Sequence, residues 1–222
     1  MSNEDLTKLA IALVSALAGW ALAQFSALIK NQLHSRRVIR LLKEEIKDIE
    51  VEATRLLYFH ARNLQKHGAS IIGDTATIAI SNPIFTNYYK DAVLSLNQSQ
   101  RISFQMIHNQ VAGQNQLLVA YAELNDTLLR EYEANGFSKE FNAGACRLGA
   151  LADHGYGNCK LIIWHVRHHM GNHESPDLRP NSEAHDAYLS YCDEVRKEID
   201  EFINSGTKLT PESFGKEKNI GP

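Results

Sequence analysis

Six of the ten histidines in this chain fall between His154 and His185. Imidazole titrates near neutral pH and is a common metal ligand, so this density is the first place to look for chemistry. His165 and His169 are four residues apart, and on a helix both rings would share one face. Two neutral imidazoles there could hold one zinc or similar ion, with His173 or Cys159 completing the site. Gly171 and Asn172 are placed to end the helix before His173, and no acid stands among these histidines to act as a general base. The alternative for each ring is ordinary packing or solvation.

Other candidate chemistry is thinner. His185 followed by Asp186 resembles the paired ligands of HD-type metal phosphohydrolases, which also need an upstream histidine and a distant aspartate. Asp193 and Asp200 fall on the same short helix, too close for that arrangement. Cys159 beside Lys160 is a candidate for a lowered thiol pKa, set against a buried structural cysteine. There is no glycine-rich phosphate loop, no H-E-x-x-H and no G-x-S-x-G, and Gly155 with Gly157 makes only G-x-G. The sequence therefore carries no recognisable catalytic motif, and a non-enzymatic role is favoured. A metal-dependent enzyme or metal sensor built on His165 to His173, with zinc as its cofactor, is the alternative.

Composition narrows the partners. The net charge is -3, from 23 basic and 26 acidic residues. No global positive field is available to hold nucleic acid, which is not a leading partner. Cys146, Cys159 and Cys192 are odd in number and irregularly spaced, as free thiols in a reducing compartment would be.

The elements that must position these residues begin with an anchor. Leu9 to Ile29 contains no charged side chain. Its length matches the roughly 30 Å hydrocarbon core at 1.5 Å rise per residue. Glu4 and Asp5 precede it, whereas Lys30, Arg36, Arg37, Arg40 and Lys43 follow with no acid among them. That asymmetry predicts a short N-terminus (1–8) outside and the remainder in the cytoplasm, at the inner membrane. The basic collar would also attract anionic headgroups. Ala21-Leu22-Ala23 before Gln24 offers a cleavage site as the competing signal-peptide reading. A buried core helix is the other competitor. Ser15, Gly19, Ala23 and Ala27 form a small-residue stripe on one face of the anchor, the pattern by which helices associate in lipid. It predicts a homo-oligomer.

Beyond the anchor the periodicity is helical. Ile39, Leu42, Ile46, Ile49, Ala53, Leu56 and His60 make a heptad seam, to be buried in the chain's own bundle or paired as a coiled coil with another copy. No proline or glycine interrupts Lys30 to Lys66, so the anchor should continue as one rod to about Gly68. A loop over Ala69 to Ser81 follows, in which Ala76 to Ile80 is the best candidate for extended structure. Asn82 and Pro83 read as N-cap and first helical position of a helix to about Leu96. Gln98 to about Tyr132 should form a longer helix, with Ile107, Val111, Leu118, Tyr121, Leu128 and Tyr132 inward and a bend at Gly113. Ser138 caps another helix, which Gly155 and Gly157 should interrupt before Asn158 to His169 resumes it. After a loop over Gly171 to Asn181, Glu183 to about Asn204 places Tyr188, Cys192, Val195, Ile199 and Phe202 on one face. Residues 205–222 read as a mobile tail.

The predicted fold is therefore all-α: a transmembrane helix (9–29) continuing into a cytoplasmic bundle (30–204) of about four to six helices. The uncharged anchor, the basic collar and the bundle containing Asn82-Pro83 to Asn115 together resemble small bacterial single-pass membrane proteins. Some of these are similar to membrane effectors encoded near phage-defence genes. The resemblance implies a membrane-anchored interaction module, an adaptor or effector that self-associates and meets a protein partner.

Overall fold

The computed structural model describes residues 3–73, 78–176 and 178–210, with side chains from Ile11 onward. It contains five α-helices and one 3-10 turn: α1 (Asn3–Gly68), α2 (Pro83–Ala92), the turn Val93–Ser95, α3 (Gln98–Asn135), α4 (Lys139–Gly171) and α5 (Glu183–Gly206). Among the described residues there is no strand.

At 66 residues, α1 is a rod of about 100 Å. Its two parts have different surroundings. From Ile11 to Arg37 only Ser35 is even half-buried, whereas Leu42, Ile46, Ile49, Ala53, Leu56 and His60 are wholly buried and Ile39 is half-buried. The heptad seam is thus covered by the chain's own bundle. Each fully buried leucine or isoleucine there contributes about 1.5–3 kcal/mol relative to exposure.

The side-chain contacts fix the course of the other helices. Glu50 of α1 pairs with Arg167, and His67 lies against Gly149, so α4 is antiparallel to α1. Ser103 meets His169 while Leu128 meets Gly144, so α3 is antiparallel to α4. Tyr188 packs on Trp164 and Glu198 on Tyr156, so α5 also runs antiparallel to α4. α4 is the central helix, packing on α1, α3 and α5.

The segment between α1 and α2 returns along the bundle. Asn115 clamps it through both backbone groups of Ile80, the N–H donating at 2.9 Å and the carbonyl accepting at 2.8 Å. Arg55 donates to the carbonyl of Ile78 at 2.6 Å. Of the predicted extended stretch, Ala76 and Thr77 lie outside the described residues; Ile78 to Ile80 is held by these side chains and pairs with no strand.

Several local expectations are corrected. α4 runs unbroken through Gly155 and Gly157. A β-carbon at residue 155 would clash with the edge of the His60 ring, so that glycine serves helix approach and not helix breaking. α3, where a bend and not a break is expected at Gly113, is helical through that residue. Tyr132, expected inward, is 45% exposed near the end of α3 and packs on Phe137 and Phe141. α5 extends to a buried Gly206 that lies against the Gln65 backbone, so Ser205 and Gly206 belong to the bundle. Residues 211–222 of the predicted tail lie outside the described residues.

Three caps follow sequence logic. Asn97 forms a reciprocal capping box with Gln100, and the Ser138 and Ser182 hydroxyls accept from the backbone N–H groups of Phe141 and His185. The fourth does not. Pro83 starts α2, but the Asn82 side chain makes no cap there.

Candidate functional site

The helix-to-helix contacts give the bundle two distinct ends. α2 descends along α1, with Glu45 at its N-terminus and His34 and Ser35 at its C-terminal end. The turn into α3 and the loop from α4 to α5 therefore face the apolar part of α1. They are tied together: Asn97 donates to the Glu174 carbonyl at 2.6 Å and Gln100 to the His173 carbonyl at 2.7 Å.

The apolar part itself has no intramolecular partner among the described residues. Leu13, Val14, Leu17, Trp20, Leu22, Phe25 and Leu28 are each 59–72% exposed. Among the described residues this one helix is long and apolar enough to cross a membrane, and a signal sequence near the N-terminus would satisfy the same criterion. Ser15, Gly19, Ala23 and Ala27 are exposed along it. In the collar Lys30, Arg36, Arg37 and Arg40 are exposed and Lys43 is half-buried. At 1.5 Å per residue, Arg40 and Lys43 stand about 17 and 21 Å beyond Ile29.

The histidine cluster does not converge. His165 is buried with its ring against Trp164 and Tyr188 of α5, while His169 turns to α3, where its Nδ1 meets Ser103 Oγ at 2.9 Å and its ring packs on Phe104. His173 is exposed and contributes only a backbone carbonyl. Among the described residues no three His, Cys, Asp or Glu side chains come together as metal ligands. The expected zinc site on His165, His169 and His173 is corrected accordingly: a shared helical register is not a shared direction when the two rings pack on different neighbours. His168 stacks on Trp164, and His185 lies half-buried at the start of α5 with Asp186 exposed beside it.

Two further histidines, His60 and His108, are as buried as any in the cluster, and spacing did not single them out as a pair. His60 Nε2 accepts from Gln114 Nε2 at 2.8 Å. Gln114 Oε1 accepts in turn from Asn158 Nδ2 at 3.1 Å, which links α1, α3 and α4 through one buried polar chain. His108 stacks on Phe85 at 3.8 Å between centroids, and its Nδ1 accepts from Asn82 Nδ2 at 3.2 Å. This is where the missing cap went. In place of Asn82, the buried Glu45 carboxylate accepts the N–H groups of Ile84 at 2.5 Å and Phe85 at 2.9 Å.

Burial governs the ionisation of all four rings. It lowers His60 to about 4 and His108 to about 3, and with a smaller contribution from His168 it lowers His165 to about 4. His169 is also lowered to about 4, first by burial and then by the neighbouring charges of Lys43, His168 and His173. All four are neutral at pH 7. The 3.8 Å approach of His108 Nε2 to Glu45 is therefore a dipolar contact and not an ion pair. Burial also raises Glu45, outweighing the two backbone hydrogen bonds that lower it. Cys159 is buried and its thiol is pushed up by that burial, which overturns the lowered-pKa expectation; Lys160 turns away to pair with Glu198 at 2.6 Å.

The described residues also line concavities. A cavity of about 280 Å³ at the far end is lined by Asn63, His67, Tyr121, Phe141 and Cys146. A groove of about 580 Å³ between α3, α4 and α5 opens where Gly113 and Gly157 have no side chain. Comparison with protein-family models, with curated proteins and with solved structures finds no match to this chain.

Proposed function

We propose that this chain is a membrane-anchored helical interaction module, an adaptor or effector that self-associates through its anchor and presents the bundle to a protein partner in the cytoplasm. The observation that carries this reading is the contrast within one helix: Ile11 to Ile29 is apolar and uncovered, and the same helix then supplies the buried seam of a folded bundle. An uncovered apolar helix of that length is stable in lipid, where its backbone groups are satisfied internally.

The charge asymmetry around the span supports an inner-membrane protein with its N-terminus outside and its bundle in the cytoplasm. The small-residue stripe Ser15, Gly19, Ala23 and Ala27 supports self-association in lipid. A role in phage defence rests on the resemblance of the overall plan and extends this reading. The chemistry of the core favours no enzymatic function, since its histidines are neutral, buried and engaged with neighbouring helices.

The deciding experiment combines carbonate extraction with a reporter fused after Pro222. Retention in the membrane with cytoplasmic reporter activity is the expected result. A soluble periplasmic chain beginning at Gln24 would show that the segment is a signal sequence.

A further inference from the structure

Leu94, in the 3-10 turn between α2 and α3, is 95% exposed, more than any other large apolar side chain among the described residues. The turn that carries it is firmly held. Ala92 and Leu96 on either side are buried, Arg101 Nη1 donates to the Leu96 carbonyl at 2.7 Å, and Asn97 is bonded to the α4–α5 loop. Leu94 is thus displayed on a fixed corner. That corner is where α2 ends its descent along α1 and α3 departs, with Asp91 held by His34 at 3.2 Å and by the Ser35 hydroxyl at 2.7 Å.

We infer that Leu94 inserts into the headgroup layer of the leaflet from which α1 emerges, so that the bundle rests on the bilayer at a second point. This rests on the reading that Ile11 to Ile29 crosses a membrane. Ser35 lies six residues past Ile29, or about 9 Å along the helix axis. A tilt of about 20° toward α2, usual for a membrane helix, lowers a neighbour 8–10 Å away by about 3 Å. The corner then lies about 6 Å from the hydrocarbon edge, within a headgroup layer about 5–7 Å deep.

Charge agrees with a lipid occupant. Arg36, Arg37 and Lys90 are exposed at this level, while Asp91 at the corner itself is engaged by His34. An apolar wedge with exposed cations at the same level is the composition of an interfacial contact with anionic lipid. The consequence is mechanical: the second contact fixes the tilt and rotation of the rod, and hence which bundle face a partner meets.

The test uses the full chain in vesicles, with Cys146→Ser, Cys159→Ala and Cys192→Ser as background and a bimane label on one added cysteine. Leu94→Cys reports the corner, Val14→Cys the span, and Phe137→Cys the far end of the bundle. With lipids spin-labelled near the headgroup, the Leu94 label is expected to lose about half of its emission, as a group seated within the headgroup layer should, while the Phe137 label loses less than about a tenth. An unquenched Leu94 label beside a quenched Val14 label overturns the inference and leaves the anchor standing. Failure of both labels to quench removes the anchor reading itself. A Leu94 signal that depends on protein density and not on labelled lipid identifies a second copy as the occupant and also overturns the inference. Hydrogen exchange on the unsubstituted chain gives an independent reading: amides 93–97 should exchange about threefold or more slowly in anionic than in neutral vesicles, and equal rates count against lipid contact.

Discussion

The His60 ring of α1 occupies the space in which a β-carbon on residue 155 of α4 would lie. The contact explains two features at once: why a glycine stands inside an unbroken helix, and how an imidazole comes to be wholly buried at the end of an otherwise apolar seam. From that position His60 reaches Gln114 and, through it, Asn158. A polar chain of this kind can form in only one register of α1, α3 and α4, so it specifies alignment more than it adds stability.

The first prediction separates two glycines that look alike in sequence. Gly155→Ala should destabilise the bundle by about 1–3 kcal/mol through overpacking against His60. Gly157→Ala points into open space and should be neutral or stabilising by up to about 1 kcal/mol, from helix propensity alone. Thermal unfolding of the two detergent-solubilised variants makes the comparison; equal melting temperatures would remove the packing role assigned to Gly155.

The second concerns Glu45. Its carboxylate supplies the cap that α2 lacks, so Glu45→Ala should expose two N–H groups and cost about 1–3 kcal/mol, with the loss concentrated in α2. Hydrogen exchange resolved by peptide should show faster exchange over residues 83–92 and little change in α4. A uniform change across the bundle would argue that Glu45 acts by another route.

These two sites also mark where the sequence stops being informative. The seam from Leu42 to His60 could be read directly as a buried helical face, because apolar residues at spacings of three and four line one side of a helix; whether the chain's own bundle or a second copy covers it could not. Local caps at Asn97, Ser138 and Ser182 obey rules that span a few residues, although only Ser138 was singled out. Glu45 capping a helix that starts 39 residues later leaves no local trace. Gly155 carries the same letter whether it breaks a helix or admits a ring from its neighbour. The His165 and His169 pair misled for a related reason: periodicity gives the face of a helix, but the neighbouring helices decide which group each ring meets.

The third prediction is an acid transition. His60, His108, His165 and His169 have folded-state pKa values below the ordinary ~6.5 of an unfolded chain. Between those values the unfolded state binds more protons, so stability is fully present above about pH 6.5 and is lost as pH falls toward about 4. Each ring contributes up to about 1.4 kcal/mol per pH unit in that window. Melting temperature should therefore drop steeply below pH 6, and His169→Gln should make the drop shallower. A flat profile down to pH 4.5 would contradict the burial of these rings.

The fourth compares the three thiols. Cys146 is exposed, Cys192 is partly covered and Cys159 is buried with its pKa raised by burial. A soluble maleimide should label Cys146 first and Cys192 next, and should reach Cys159 only on unfolding. Mass spectrometry of the labelled peptides gives the order, and early modification of Cys159 would mean that the α4 core opens on the timescale of the reaction.

The last prediction returns to the anchor, where sequence and structure agree on an uncovered helix but association depends on the membrane. Gly19 and Ala23 lie on the small-residue face, and a β-carbon on Gly19 would meet nothing within 4 Å in the isolated chain. Substituting either therefore leaves the monomer unstrained, and any effect must come from a second helix. Gly19→Leu or Ala23→Leu should weaken self-association because close backbone approach in lipid is lost, whereas Leu17→Ala on the opposite face should matter little. A membrane two-hybrid assay, with equal expression and membrane retention verified for each variant, reads the difference. Equal signals from all three would mean that the stripe is a by-product of an alanine-rich helix, and the self-association part of the proposed function would fall while the anchor remained.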